Sequence, residues 1–164
     1  MKTRYPNTQA PDHPRKSPVV DSADGDLRSG EEEFWANSED YQPAALHDDF
    51  NNGKPYDLEE RTARFGEAII RFVKKIPRGP GNNRLIDQLV GAATSVGANY
   101  CEANEGVSKK DFRYRIGTCV KEAKETTYFL RMIVASEPQL AEDARKLYRE
   151  AKELHLIFAS IFRK

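Results

Sequence analysis

The C-terminal stretch of the chain confines its own fold, because Leu140, Ala144, Leu147, Ala151, Leu154, Phe158 and Ile161 recur at alternating separations of four and three. At 3.6 residues per turn all seven fall on one stripe of a helix. A stripe so narrow and so long is the seam of a rod packed lengthwise against other rods. Such a rod cannot bury its seam alone, so the preceding sequence must supply partners.

It supplies three. Phe112, Ile116, Cys119, Ala123, Thr126, Leu130 and Ile133 form a second stripe, opened by Ser108 with Asp111 three residues on, a capping-box variant. Leu85, Leu89, Val96 and Tyr100 form a third, and Leu58, Phe65, Ile69, Phe72 and Ile76 a fourth, preceded by Asp57 with Glu60. The breaks between them are short. Pro77-Arg78-Gly79-Pro80-Gly81 is a stop and turn, Asn104 to Gly106 suits a helix C-cap, and Ser136 with Pro138 and Gln139 restarts the pattern. The spacing predicts helices over about 58–76, 84–104, 109–135 and 137–163. Four helices with short connections predict an all-α, antiparallel up-and-down four-helix bundle over residues 57–164.

Residues 1–56 read differently. Six of the nine prolines fall there among Asp, Ser, Asn and Gly, with no lasting apolar period. Such a segment is expected to be a disordered tail, since it cannot bury enough to offset its ordering entropy. Phe34, Trp35 and Tyr41 beside Glu31-Glu32-Glu33 are a candidate docking peptide within it. The formal charge of zero conceals an asymmetry: residues 1–56 carry 6 Lys+Arg against 11 Asp+Glu, and the remainder 20 against 15. An acidic tail thus precedes a basic domain. No apolar run approaches the roughly 20 residues that span a bilayer, and no apolar stretch follows the early positive charge as a signal peptide requires. A cytoplasmic location without membrane contact is expected. Cys101 and Cys119 form no paired motif and read as reduced core thiols.

Helix two carries Gly91-Ala92-Ala93-Thr94-Ser95-Val96-Gly97-Ala98, almost wholly small side chains. Two glycines inside a helix each cost about 1 kcal/mol relative to alanine, so a close backbone approach is expected to compensate. Ser95, Asn99 and Glu102 lie on one side of that helix, and Glu122, Glu125 and Thr126 on helix three are expected to complete a polar network with them. Ile70, Phe129 and Leu156 lie off their helices' core stripes and predict an oligomer interface.

Two sequences mark a resemblance: Thr94-Ser95-Val96-Gly97-Ala98-Asn99-Tyr100-Cys101-Glu102-Ala103, and Lys121-Glu122-Ala123-Lys124-Glu125-Thr126-Thr127-Tyr128-Phe129-Leu130-Arg131. Over roughly Asp57 to Lys164 the chain resembles the bacterial four-helix-bundle proteins called 23S ribosomal RNA intervening-sequence proteins. The resemblance implies a ring-shaped homopentamer. It also implies kinship with the accessory variability proteins of diversity-generating retroelements, which bind nucleic acid and a reverse transcriptase.

The residues offer a surface suited to nucleic acid. Lys110, Tyr114, Gly117, Lys121, Lys124, Tyr128 and Arg131 line helix three opposite its core stripe, where cations meet phosphates and tyrosines stack on unpaired bases. Arg71, Lys74, Lys75, Arg78 and Arg84 cluster around the first turn between helices, and a ring would repeat them for avidity. Catalytic readings find no support. A di-metal site in a bundle uses Glu-x-x-His pairs, and neither His13, His47 nor His155 follows a glutamate by three. No phosphate loop, dinucleotide fingerprint, nucleophile elbow or zinc spacing occurs. The sequence therefore predicts a non-catalytic homo-oligomer, without cofactor or metal, that binds RNA or DNA. The alternative is a protein-interaction scaffold, with a reverse transcriptase or another protein as partner.

Overall fold

The computed structural model describes residues 57–164, and the expectations for the tail fall outside them. Four helices fill this span: α1 (Leu58–Val73), α2 (Pro80–Asn104), α3 (Lys109–Ser136) and α4 (Ala141–Arg163), with a 3₁₀ turn at Pro138–Leu140. No strand occurs among the described residues.

Local chemistry sets the boundaries. The Asp57 carboxylate accepts the Glu60 amide at 3.1 Å and the Ser108 hydroxyl oxygen accepts the Asp111 amide at 3.1 Å, each satisfying an orphan donor of a first turn. Helix α2 starts at Pro80, four residues ahead of the expected 84, because proline at the first helical position gives up an N–H that has no partner there anyway. Helix α1 stops at Val73, and its last turn tightens through Lys75 N–H to Phe72 O and Ile76 N–H to Val73 O. Ser136 does not cap α4. Its hydroxyl donates to Asn82 Oδ1 at 2.7 Å, and the chain passes through the 3₁₀ turn before α4 begins. Asn82 also donates to Pro77 O at 3.0 Å and to Glu137 at 2.7 Å, tying the α1–α2 and α3–α4 connections together. Hydrogen bonds from Asn82 and then Gln139 hold the Glu137 carboxyl below its ordinary pKa.

The core draws on all four helices: Phe65 and Ile69 from α1, Leu89 and Val96 from α2, Ile116, Leu130 and Ile133 from α3, and Leu154 and Phe158 from α4 are all fully buried. On α2 the buried set is wider than the stripe of large residues, since Ile86, Ala92, Ala93 and Ala103 join it while Leu85 and Tyr100 are half-buried. Tyr100 packs on Phe158 with ring centroids 5.3 Å apart. The Cys119 thiol donates to Val96 O at 3.4 Å, and His155 Nδ1 lies 3.0 Å from Val120 O.

Two contacts govern how α1 sits. Arg61, 3% exposed, donates through Nε and Nη2 to both oxygens of the fully buried Glu150 at 2.6 and 2.8 Å, and Nη2 also reaches Glu153 at 2.7 Å. Burial works against the Arg61 charge, but the bonds and charges of Glu150 and Glu153 outweigh it and hold its pKa above the usual guanidinium value. On the other side, a Cβ at Gly97 would stand 3.2 Å from Thr62 Oγ1 and 3.3 Å from Thr62 Cβ, so α1 and α2 approach too closely there for a Cβ unless Thr62 shifts by a few tenths of an ångström. A Cβ at Gly91 would meet nothing within 4 Å.

Truncating Glu150→Ala leaves the buried Arg61 guanidinium with Glu153 alone and is expected to cost about 2–3 kcal/mol in urea denaturation, while Arg61→Met combined with Glu150→Leu recovers most of that loss. Gly97→Ala should destabilise by about 1–3 kcal/mol through overpacking against Thr62. Gly91→Ala should stabilise by up to about 1 kcal/mol, because it gains helix propensity and meets no obstruction. Burial pushes the Cys119 thiol from 9.0 up to about 12. Between those values the unfolded chain has lost this proton and the folded one keeps it, so stability falls as pH rises. From pH 8 to pH 10 the protein should lose roughly 1 kcal/mol more than a Cys119→Ala variant over the same interval.

Candidate nucleic-acid interface

The outer side of α3 is built by the same periodicity that builds its core. Residues seven apart drift little around a helix, so Lys110, Tyr114, Lys121, Lys124, Tyr128 and Arg131 share a face remote from Ile116, Cys119 and Ala123. All six are exposed, with Tyr114 at 68% and Tyr128 at 55%. Lys110, Lys121 and Lys124 form no ion pair with the described residues, and Glu125 is exposed on the same helix. Tyr128 lies edge-on to Phe129, centroids 5.3 Å apart, and Phe129 is half-buried.

The second basic group is partly neutralised. Arg71 pairs with Glu67 at 3.3 Å and Lys75 with Asp143 at 2.7 Å, whereas Lys74, Arg78 and Arg84 are exposed and pair with none of the described residues. Exposed pairs of this kind contribute about 0–1 kcal/mol each and yield readily to a competing polyanion.

The polar residues between α2 and α3 make different contacts from those the sequence suggests. Asn99 donates to Ser95 O at 2.9 Å, and its side-chain oxygen accepts from Arg115 at 3.5 Å. Glu102 forms an ion pair with Arg115. Thr126 donates to Glu122 O at 2.8 Å within its own helix. Glu122 is half-buried, and burial followed by the charge of Glu125 holds its carboxyl above the ordinary pKa. Arg115 is therefore the hub. It lies level with Asn99 and Glu102, whereas the register that sets Val96 beside Cys119 leaves Glu122 and Glu125 about three turns away from Glu102 along the helices, out of reach whatever their charge.

Sequence reasoning also passed over Arg113 and Phe162. The Arg113 guanidinium carbon lies 4.7 Å from the Phe162 ring centroid, and Phe162 rests on the backbone of α3 at Gly117, where a Cβ would stand 3.0 Å from the ring. Arg113 follows Lys110 by three and precedes Gly117 by four, so spacing alone could have placed it on this face. Of the expected interface residues, Ile70 is 41% and Leu156 56% exposed.

The groove between α1 and α2 has the opposite character. With a volume of about 690 Å³, it is lined by Asp57, Glu59, Glu60 and Glu67 together with Ile70 and small residues of α2. Among the described residues no cluster of three or more His, Cys, Asp or Glu could hold a metal ion, and no helix is long and apolar enough to cross a membrane.

Residues 56–160 match the sequence model of a family described as 23S rRNA-intervening sequence protein, which specifies no catalytic activity. A crystal structure of a protein of unknown function from the S23 ribosomal protein family of Bacteroides thetaiotaomicron VPI-5482 superposes with a TM-score of 0.59. That match is 23% identical in sequence and covers 65% of this chain and 99% of the other. At that identity it speaks for the fold alone. No curated protein matches. With its helical bundle and a family match over most of its length, the chain belongs to the 23S rRNA-intervening sequence protein family.

Proposed function

We propose that this domain is a non-catalytic homo-oligomeric module that holds RNA or DNA against the outer face of α3. The observation that carries the reading is the exposed row of Lys110, Lys121 and Lys124 interleaved with Tyr114 and Tyr128. Cations there release counterions from a phosphate backbone, and the phenol rings offer flat surfaces to bases. The bundle is taken as antiparallel and up-and-down. Pairings of falling with rising residue numbers support this: Asn82 with Ser136, Val96 with Cys119 and Asn99 with Arg115 between α2 and α3, and Arg61 with Glu150 and Lys75 with Asp143 between α1 and α4. Exposed Ile70 and Leu156 support self-association, for which a ring-shaped homopentamer is the proposed form, and a ring repeats each basic face around its circumference.

One observation favours a second reading. The acidic α1–α2 groove beside Ile70 is unsuited to nucleic acid but suited to a basic segment of a protein partner, a reverse transcriptase among the candidates, with the module then acting as a scaffold.

Salt-titrated binding of the whole protein to a structured RNA separates the two. The expected result is an affinity that falls linearly in log–log form with salt, with the double reversal Lys121→Glu and Lys124→Glu lowering the slope by about two. Failure to bind at 50 mM salt, or binding indifferent to the reversals, would turn the assignment toward the scaffold.

A further inference from the structure

Two hollows flank the place where the end of α4 lies on the beginning of α3. One, of about 640 Å³, is lined by apolar Phe112, Ile116 and Ile161 and by Lys109, Arg113 and Lys164. The other, of about 500 Å³, is lined by Tyr114, Val120 and Gly117 and by Lys110, Arg113 and Lys121. Arg113 and Phe162 belong to both. No Asp or Glu side chain lines either hollow, whereas four line the α1–α2 groove, two of them paired with Arg64 and Arg71. The excess of cations at the hollows favours an anionic occupant. The hydrocarbon walls select one that also carries flat apolar surface.

A lone inorganic anion would leave those walls uncovered. A duplex presents its phosphates but stacks its bases out of reach of Phe162 and Tyr114. An unpaired strand presents both together, phosphates at a regular spacing and bases free to turn inward. We infer that the Arg113–Phe162 junction is a docking site for unpaired nucleotides of a single strand, with bases entering the hollows against Phe162 and Tyr114 and phosphates meeting Lys109, Lys110, Lys121 and Lys164. This rests on the reading of α3 as a nucleic-acid face and narrows its ligand to single strands. Gly117 has a defined part in it. Its missing Cβ lets the Phe162 ring come close against α3, and the Arg113 guanidinium lies over that ring at 4.7 Å.

Fluorescence anisotropy on the whole protein tests the inference with three 20-nucleotide probes: oligothymidylate, an abasic strand of equal charge, and a duplex. Oligothymidylate should bind about 5- to 100-fold more tightly than the abasic strand, and Phe162→Ala should erase that difference. Gly117→Ala is the sharper variant. Its methyl can be accommodated by moving only the far end of Phe162, so the melting temperature should hold or rise while oligothymidylate affinity falls. Equal binding of oligothymidylate and abasic strand, or a preference for duplex, overturns base docking while leaving the broader nucleic-acid reading standing. Absence of binding to all three overturns both. Oligothymidylate binding unchanged in both variants, or Phe162-dependent binding of phosphatidylglycerol vesicles without it, also overturns the inference.

Discussion

The bundle closes through a charge pair that has almost no access to water. Arg61 and Glu150 join the first helix to the last, and each is buried to a degree that would be prohibitive for an unpartnered ion. The pair is tolerable because the guanidinium meets both carboxylate oxygens and still has a donor for Glu153. Apolar seams alone permit a helix to slide or rotate by a step at modest cost. A bidentate pair in a dry interior does not, because any slip strands two charges at once. The register of α1 against α4 follows from it, and with that register fixed the opposite flank of α1 can meet α2 as closely as Gly97 and Thr62 allow.

This device was not legible in the sequence. Arg61 and Glu150 sit on amphipathic helices rich in charge, where the ordinary expectation for either residue is a solvated face. Their spacing does set them inward, Arg61 between Leu58 and Phe65 and Glu150 between Leu147 and Leu154, but residue type argues for solvent and position alone does not name the partner. The large-residue seams were legible, because period and size agree in α3 and α4. Helix α2 was legible only in part. Half of its buried side, beside Ile86, Leu89 and Val96, is made of Ala92, Ala93 and Ala103, and small residues serve core and surface alike, so periodicity of size loses its signal. The two glycines show the same limit. Both looked like candidates for a close approach, yet Gly97 touches Thr62 and Gly91 faces open space, a difference that depends on where α1 lies.

The proposed nucleic-acid surface divides along similar lines. The row from Lys110 to Arg131 belongs to one helix and could be read from spacing. The hollows beside Arg113 cannot, because they exist only where Phe162, 49 positions later in the chain, comes down on Gly117. The polar residues of α2 likewise found Arg115 rather than Glu122 and Glu125. A helical wheel ranks positions by direction but is blind to which turn of the neighbouring helix lies alongside, and that axial register decided the pairing.

The partition of charge between the two grooves bears on how an encounter begins. The acidic groove and the cationic hollows are formed by different helix pairs, so the domain has a polarity that its modest total charge conceals. On the proposed reading, a polyanion would meet repulsion at the acidic flank and attraction at the other before any contact forms. Such steering would enrich productive collisions among all collisions, and the enrichment would fade when ionic strength shortens the reach of the field to less than the width of a helix.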